Sequence, residues 1–485
     1  MVVPRANDRL WKKEIDDRMT YMKAKKGALL ELTIEKMAFG GPGIGFVNGL
    51  VVFVPKSAPG DKAIVKVYKK KKDYAEARIV ELMEPSASRI SPPCPYYAYC
   101  GGCQWQHIAY KDQLKYKSDL IREALMNVAS LPDVKIKDII PSEITTGYRN
   151  KMEFSFSSRR WVFPDEMPIS KDQRSFALGL HLPGTYNKVI DISCCLLQPE
   201  EANKILQIVR KEAEATGLPA YDTKFHQGYW RYLTIRHSVA FNEWMVNIVT
   251  TQENPAVMKS LAEKLLQRVD NIATIVNNVS RKKAGVAIGD FETAIRGDGS
   301  IKEKIGPFVF QISANSFFQT NTRGAERLYQ IVKDYAELSG KELVLDLYSG
   351  TGTIALYLAP RARKVIGIEI NKAAVIDAQR NGLLNGIDNV SFILGDIRDQ
   401  LPLLRDKPDI LILDPPRTGM HKDVAKQIGT LGAPKLIYVS CNPVTMARDL
   451  ALLKPLYELV EIQPVDMFPH TYHVESVGLL ERVGK

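Results

Sequence analysis

From Leu29 to Leu82, apolar and polar residues alternate in short runs: Leu30-Glu31-Leu32-Thr33-Ile34, Leu50-Val51-Val52-Phe53-Val54, Ala63-Ile64-Val65-Lys66-Val67-Tyr68 and Ala75-Glu76-Ala77-Arg78-Ile79-Val80. This period of two, broken by Gly40-Gly41-Pro42-Gly43 and Pro59-Gly60, predicts a small antiparallel barrel with Lys69 to Lys72 at a hairpin tip. Leu114, Leu120, Ile121, Leu125 and Val128 recur at helical spacing and predict a helix over 110–129. Between about 140 and 310, strands (Met152 to Phe156, Leu233 to Arg236, Met245 to Thr250) mix with helices (200–216, 254–269), an α+β pattern. From Glu326 onward, candidate strands 343–347, 365–369, 390–393, 409–413 and 435–439 alternate with helical stretches. Runs such as Leu343-Val344-Leu345 and Ile410-Leu411-Ile412-Leu413 are apolar on both faces, as strands covered by helices on both sides must be. The expected architecture there is a doubly wound parallel sheet.

At 485 residues the chain exceeds one ordinary core, so two to four domains are expected. A hydrophobic fraction of 45% and a charged fraction of 25% are those of a soluble globular protein. No run approaches the ~18 uncharged apolar residues of a membrane span. The charged stretch Met1 to Lys26 is not a secretory signal, which makes the cytoplasm the expected location. Net charge is +11, and residues 1–83 hold 17 Lys or Arg against 10 Asp or Glu. Such a basic end attracts phosphate backbones or serves as a solvated tail.

Candidate chemistry gathers in the last third. Cys441 is the only cysteine in the last 290 residues and sits in Val439-Ser440-Cys441-Asn442-Pro443, directly behind a predicted strand. Gly350 and Gly352 form a tight turn after the strand that holds Asp346, and Glu369 ends the next strand at the distance typical of a ribose-binding carboxylate. Gly395-Asp396 closes the third strand, where it could reach an adenine amine, and Asp414-Pro415-Pro416-Arg417 closes the fourth. The third glycine of a dinucleotide site is missing, and the set suits S-adenosylmethionine. An aromatic residue after the prolines would favour amine methylation, but this chain has Arg417. A thiol beside a methyl-donor site fits carbon-5 methylation of uracil, which needs a nucleophile at carbon 6 and then a base. Glu475, a carboxylate between Val474 and Val477, is the base candidate. RNA cytosine-5 enzymes generally use two cysteines, so the single thiol favours uracil.

Upstream, Cys94, Cys100 and Cys103 cluster, with Cys194-Cys195 following 91 or 92 residues after Cys103. In a cytosolic protein this spacing means metal, and zinc and an iron–sulfur cluster are comparable readings. Tyr148-Arg149-Asn150-Lys151 reads either as an RNA contact or as a solvated turn.

These stretches, with Asn315-Ser316-Phe317-Phe318-Gln319-Thr320-Asn321 and His473-Val474-Glu475-Ser476, make the chain resemble the RNA (uracil-5-)methyltransferase family. It is most similar to the 23S ribosomal RNA branch with an N-terminal TRAM domain. The resemblance implies Cys441 as nucleophile and Glu475 as base. It implies cofactor contacts at Gln319, Tyr348, Glu369 and Asp414 with Asp396 nearby, and a 4Fe–4S cluster on Cys94, Cys100, Cys103 and Cys195. Thr353 stands where the family often has Asn. The implied organisation is a basic extension over 1–20, a TRAM barrel over 21–83, a central iron–sulfur and RNA-binding domain over 84–310, and a methyltransferase domain over 311–485. The helix at 110–129 would pack on that last domain. The expected activity is that of a monomeric enzyme flipping a uridine of ribosomal RNA out of its stack. The same reaction on transfer RNA, or a non-catalytic iron–sulfur RNA-binding factor, are the alternatives.

Overall fold

The computed structural model describes residues 25–167, 176–283 and 285–484, so the expected basic extension over 1–20 lies outside the described residues. Residues group into two compact units.

The smaller unit holds the N-terminal barrel. Its strands lie in the order Leu29–Thr33, Lys62–Lys70, Tyr74–Glu84, Leu50–Val54, Gly43–Val47, Lys36–Met37. All neighbours are antiparallel except Leu50–Val54 and Tyr74–Glu84, which run parallel. Alternation sends Leu30, Leu32, Val52, Val54, Val65 and Val67 inward as a dry core. The same unit contains Cys103–Leu120 and His470–Tyr472. There the His470 carbonyl accepts the Gln104 and Trp105 N–H groups at 3.0 and 2.9 Å.

Among the described residues the larger unit contains three sheets, the smallest a hairpin of Ser300–Ile305 with Phe308–Ser313. The central one runs Val189–Asp191, Ala177–His181, Lys151–Ser157, Trp230–Ser238, Glu243–Thr250, Ile272–Val279, Phe291–Arg296. Helices Glu200–Ala215 and Pro255–Leu266 bury one face of it against Phe154, Leu233, Ile235, Val246 and Ile248. From the opposite face, Met245 and Val276 join the core of the second sheet.

That second sheet has eight strands in the order Val390–Leu394, Lys364–Glu369, Leu343–Leu347, Ile410–Leu413, Lys435–Ser440, Glu475–Arg482, Tyr457–Val465, Lys135–Ile136. The first five are parallel, as the continuous apolar runs predicted, and all five residues of Leu343–Leu347 are buried. The purely parallel expectation stops there. Tyr457–Val465 and Glu475–Arg482 form an antiparallel pair, and Glu475–Arg482 inserts beside Lys435–Ser440. Lys135–Ile136, far upstream in sequence, adds the outer strand.

The predicted helix at 110–129 is α-helical over Tyr110–Ala124 and ends in a π turn over Leu125–Ala129, stopped by left-handed Ser130. Ile121 and Leu125 enter the core with Leu436 and Leu450, and Ala124 and Ala129 pack on Ala447. Among the described residues no helix is long and apolar enough to cross a membrane.

Candidate active site

Ligands of open α/β sheets bind off the carboxyl ends of the strands, and the unusual residues gather there. Tyr348 (φ 65°), Gly350 (φ 53°) and Gly352 (φ 76°) bend the chain sharply after Leu347. Gly352 has a second reason to lack a side chain: a Cβ there would sit 2.5 Å from the Phe392 ring. Glu369 closes the turn, accepting the Gly350 N–H at 3.0 Å and the Asn371 N–H at 2.8 Å. A cavity of about 260 Å³ opens beside it. Tyr348, Glu369 and Asp396 line it, with Ile368, Ile370, Ile397 and Val424 as apolar walls and Arg398, Gly419 and His421 around them. Apolar walls to sandwich a ring, with carboxylates to accept from hydroxyls and an amine, suit an adenosine-like ligand.

Asp396 caps the helix Ile397–Gln400 and is gripped through both oxygens by Arg398, whose hydrogen bonds hold its carboxyl down at about 2. Asp346, 1% exposed, has the opposite fate. Burial, then the carboxylates of Asp414 and Glu369, raise its pKa well above the usual range. Thr353 is engaged with the Tyr329 hydroxyl at 2.8 Å.

Cys441 and Glu475, 34 positions apart in sequence, are brought together by strand register. Lys435–Ser440 pairs antiparallel with Glu475–Arg482, and the last pair is Ser440 with Ser476. Cys441 and Glu475 are the next residues beyond that pair, close enough that the Glu475 carboxylate helps raise the thiol. Glu475 is 6% exposed, and burial together with Asp414 pushes its carboxyl up to about 8, while Arg417 opposes the shift. Burial pushes Asp414 up to about 7. Burial and Glu475 push the Cys441 thiol up to about 11, again against Arg417. Asn442 caps the helix Pro443–Leu453 by accepting the Val444 and Thr445 N–H groups, which places Cys441 just ahead of a helix N-terminus. The positive end of that helix works against the burial that raises the thiol.

Two loops lock this corner. Asn442 Nδ2 and the Thr445 hydroxyl donate to the Arg417 carbonyl at 3.1 and 3.3 Å. Buried Asp449 accepts the Met420 N–H at 2.7 Å and the Tyr438 hydroxyl at 2.6 Å. Gln319 sits in the half-buried stretch after Phe318, its carbonyl accepting Asn150 Nδ2 at 2.9 Å.

The sequence reading missed Arg398, Gly419 and His421. Gly419 and His421 were findable, because the loop after the fourth strand faces the same crevice as the glycine turn.

Among the described residues none of the upstream cysteines is joined in a disulfide. Cys94, Cys100 and Cys195 lie close enough that burial and then the neighbouring thiols raise the Cys94 and Cys195 pKa values, Cys195 to about 11. Cys194 also acts on Cys94. Cys103 belongs to the barrel unit, where its sulfur accepts Gln106 Nε2 at 3.2 Å. Among the described residues no three His, Cys, Asp or Glu side chains converge closely enough to hold a metal ion. The thiol-only donor chemistry suits a soft metal, and the arrangement differs from the closed ligand set that the spacing predicted. Tyr148 and Asn150 are buried and not part of a solvated turn. Tyr148 donates its hydroxyl to the Pro469 carbonyl at 3.1 Å.

Residues 23–80 match the TRAM domain, 233–396 the tRNA (Uracil-5-)-methyltransferase family and 338–464 a methyltransferase domain. An uncharacterized RNA methyltransferase of Chlorobaculum tepidum is 40% identical over 94% of this chain and 97% of its own. One from Porphyromonas gingivalis is 40% identical over 93% and 99%. Among solved structures, the Pyrococcus abyssi tRNA (uracil-54, C5)-methyltransferase in complex with S-adenosyl-L-homocysteine is 30% identical. It covers 93% of this chain and 100% of its own with a TM-score of 0.72. A sheet with five parallel strands, a strand-end cleft and end-to-end relatedness of this degree agree: the chain belongs to the RNA (uracil-5-)methyltransferase family.

Proposed function

We propose that the protein methylates carbon 5 of a uridine in 23S ribosomal RNA through a transient bond between Cys441 and carbon 6. The observation that carries this reading is the Ser440–Ser476 pairing beside Cys441 and Glu475, with Glu475 acting on the thiol and Arg417 acting on both. Carbon 5 of uracil is a weak nucleophile. When the Cys441 thiolate adds to carbon 6, an S–C bond forms and the displaced electron pair makes carbon 5 enolate-like. Once carbon 5 carries the methyl group, the sulfonium donor having left as a neutral thioether, Glu475 as carboxylate removes the carbon-5 proton, and the freed pair restores the ring double bond and expels the thiolate. S-adenosylmethionine supplies the electrophilic methyl group. Gln319, Tyr348, Gly350, Gly352, Glu369, Asp396 and Asp414 are the residues that would hold it. A resting Glu475 near 8 is mostly protonated at neutral pH and adds little like charge beside Cys441, whose thiol, pushed up to about 11, must lose its proton to attack.

The uridine must leave its stack to expose carbon 6, and the barrel's Lys69 to Lys72 tip supplies phosphate contacts. A second reading, the same reaction on transfer RNA, is favoured by the Pyrococcus abyssi relative, which matches this chain almost end to end and is named for transfer RNA. Nucleoside mass spectrometry with site mapping of both RNA pools, from cells with and without the protein, separates the two. Loss of one 5-methyluridine from 23S RNA is the expected result. Loss from transfer RNA alone overturns the ribosomal assignment.

For Cys94, Cys100, Cys103 and Cys195 we propose a 4Fe–4S cluster that organises the RNA-binding part of the chain. Anaerobically purified protein should carry about four iron and four sulfide per chain. Zinc in their place overturns it.

A further inference from the structure

The stretch Asn315–Asn321 carries Gln319, yet much of its support comes from the central sheet. Arg236, 2% exposed on Trp230–Ser238, donates Nη2 to the Ser316 carbonyl at 3.0 Å. Asn150 donates Nδ2 to the Gln319 carbonyl at 2.9 Å and to the Thr322 hydroxyl at 2.8 Å, and its backbone N–H goes to the Thr320 carbonyl at 2.8 Å. Asn278 Nδ2 reaches Asn315 Oδ1 at 2.6 Å. On the methyltransferase side, the Ser313 and Ser316 hydroxyls hold Asp377 Oδ2, and Asn321 Nδ2 donates to the Met467 carbonyl at 2.8 Å. The stretch is a strap fastened at both edges.

Arg236 is a costly fastener. Its Nε and Nη1 make no hydrogen bond among the described residues. The like-charged Lys151 lies directly opposite it in the strand register. The carboxylate acting on it, Glu303, is committed to the N–H groups of Val239, Ala240 and Lys304 and the Thr322 hydroxyl. An apolar side chain of similar length would fill the space without burying a charge. The bond to Ser316 is what an arginine adds there.

We propose that Arg236 and Asn150 are positioning residues for methyl transfer. From the central sheet they set the Ser316 and Gln319 carbonyls, and thereby the entry of the Gln319 side chain toward the cofactor cleft. The inference rests on the reading of Gln319 as a cofactor contact. Its consequence is that cofactor affinity depends on the central sheet as well as on the glycine turn.

The test is a double-mutant cycle read by calorimetric titration of full-length protein with S-adenosylhomocysteine. R236M and N150A should each weaken binding about tenfold, within the range of measured pairwise couplings, and R236K should recover part of the loss. RNA affinity by filter binding should stay within about twofold. In a Q319A background the same substitutions should change affinity by less than about twofold. A folded R236M with wild-type affinity overturns the proposal, as do effects that multiply undiminished in Q319A. Should R236M fail to fold, the N150A arm decides by the same criteria. A weakened Q319A with independent effects overturns this proposal and leaves the Gln319 assignment standing, whereas Q319A binding like wild type sinks the Gln319 assignment and the inference with it.

Discussion

Cys441→Ala is expected to abolish 5-methyluridine formation, lowering the rate by about 10⁴-fold or more, while RNA affinity stays within about twofold. The size of the loss follows from the chemistry. Without sulfur at carbon 6, no electron pair reaches carbon 5, and the remaining groups can orient a base but cannot make it nucleophilic. The binding surface is untouched because the thiol is a small, half-buried side chain ahead of a capped helix. Mass spectrometry of RNA methylated in vitro, with filter binding of the same protein, checks both halves. Residual methylation near the wild-type rate removes the covalent step.

Glu475→Gln should stop the cycle one step later, leaving a methylated RNA joined to protein through Cys441 that survives a denaturing gel. In the wild type, only the carboxylate form of Glu475 can take the carbon-5 proton. With its pKa near 8, release of product should rise with pH and level off above about 8, and at pH 6 only about one hundredth of the group is ionised. The same shift has a stability signature. The folded state holds this proton more tightly than the unfolded chain, whose carboxyl titrates near 4.5, so wild-type stability falls as pH rises from about 4.5 to 8. The glutamine variant lacks that term, and its melting temperature should gain on the wild type across this window. A flat pH–rate profile with no adduct would take the base role away from Glu475.

Local pattern carried the architecture far. The doubled apolar runs at Leu343–Leu347 and Ile410–Leu413 need cover on both faces, and the alternation from Leu30 to Val80 needs only one dry side. Neither property depends on distant residues, so both could be read along the chain. Glu475–Arg482 was harder. Its antiparallel insertion beside Lys435–Ser440 is a pairing choice between segments far apart, and no spacing announces it. Lys135–Ile136 is the extreme case, two residues whose strand character comes entirely from Tyr457–Val465.

The site divides in the same way. Cys441, the glycine turn and the carboxylates at strand ends are matters of residue type beside local structure, and the sequence alone singled them out. Their charge states are not. Asp346 lies within a predicted strand and Asp396 just past one, yet burial raises the first carboxyl while Arg398 holds the other down at about 2. Burial and neighbour identity are properties of the packed whole, because desolvation is set by everything that closes over a group. The amino-acid order therefore determined which elements form and which side chains carry chemistry. Tertiary structure decided which of those side chains meet, at what protonation, and which remote strand fastens the strap that bears Gln319.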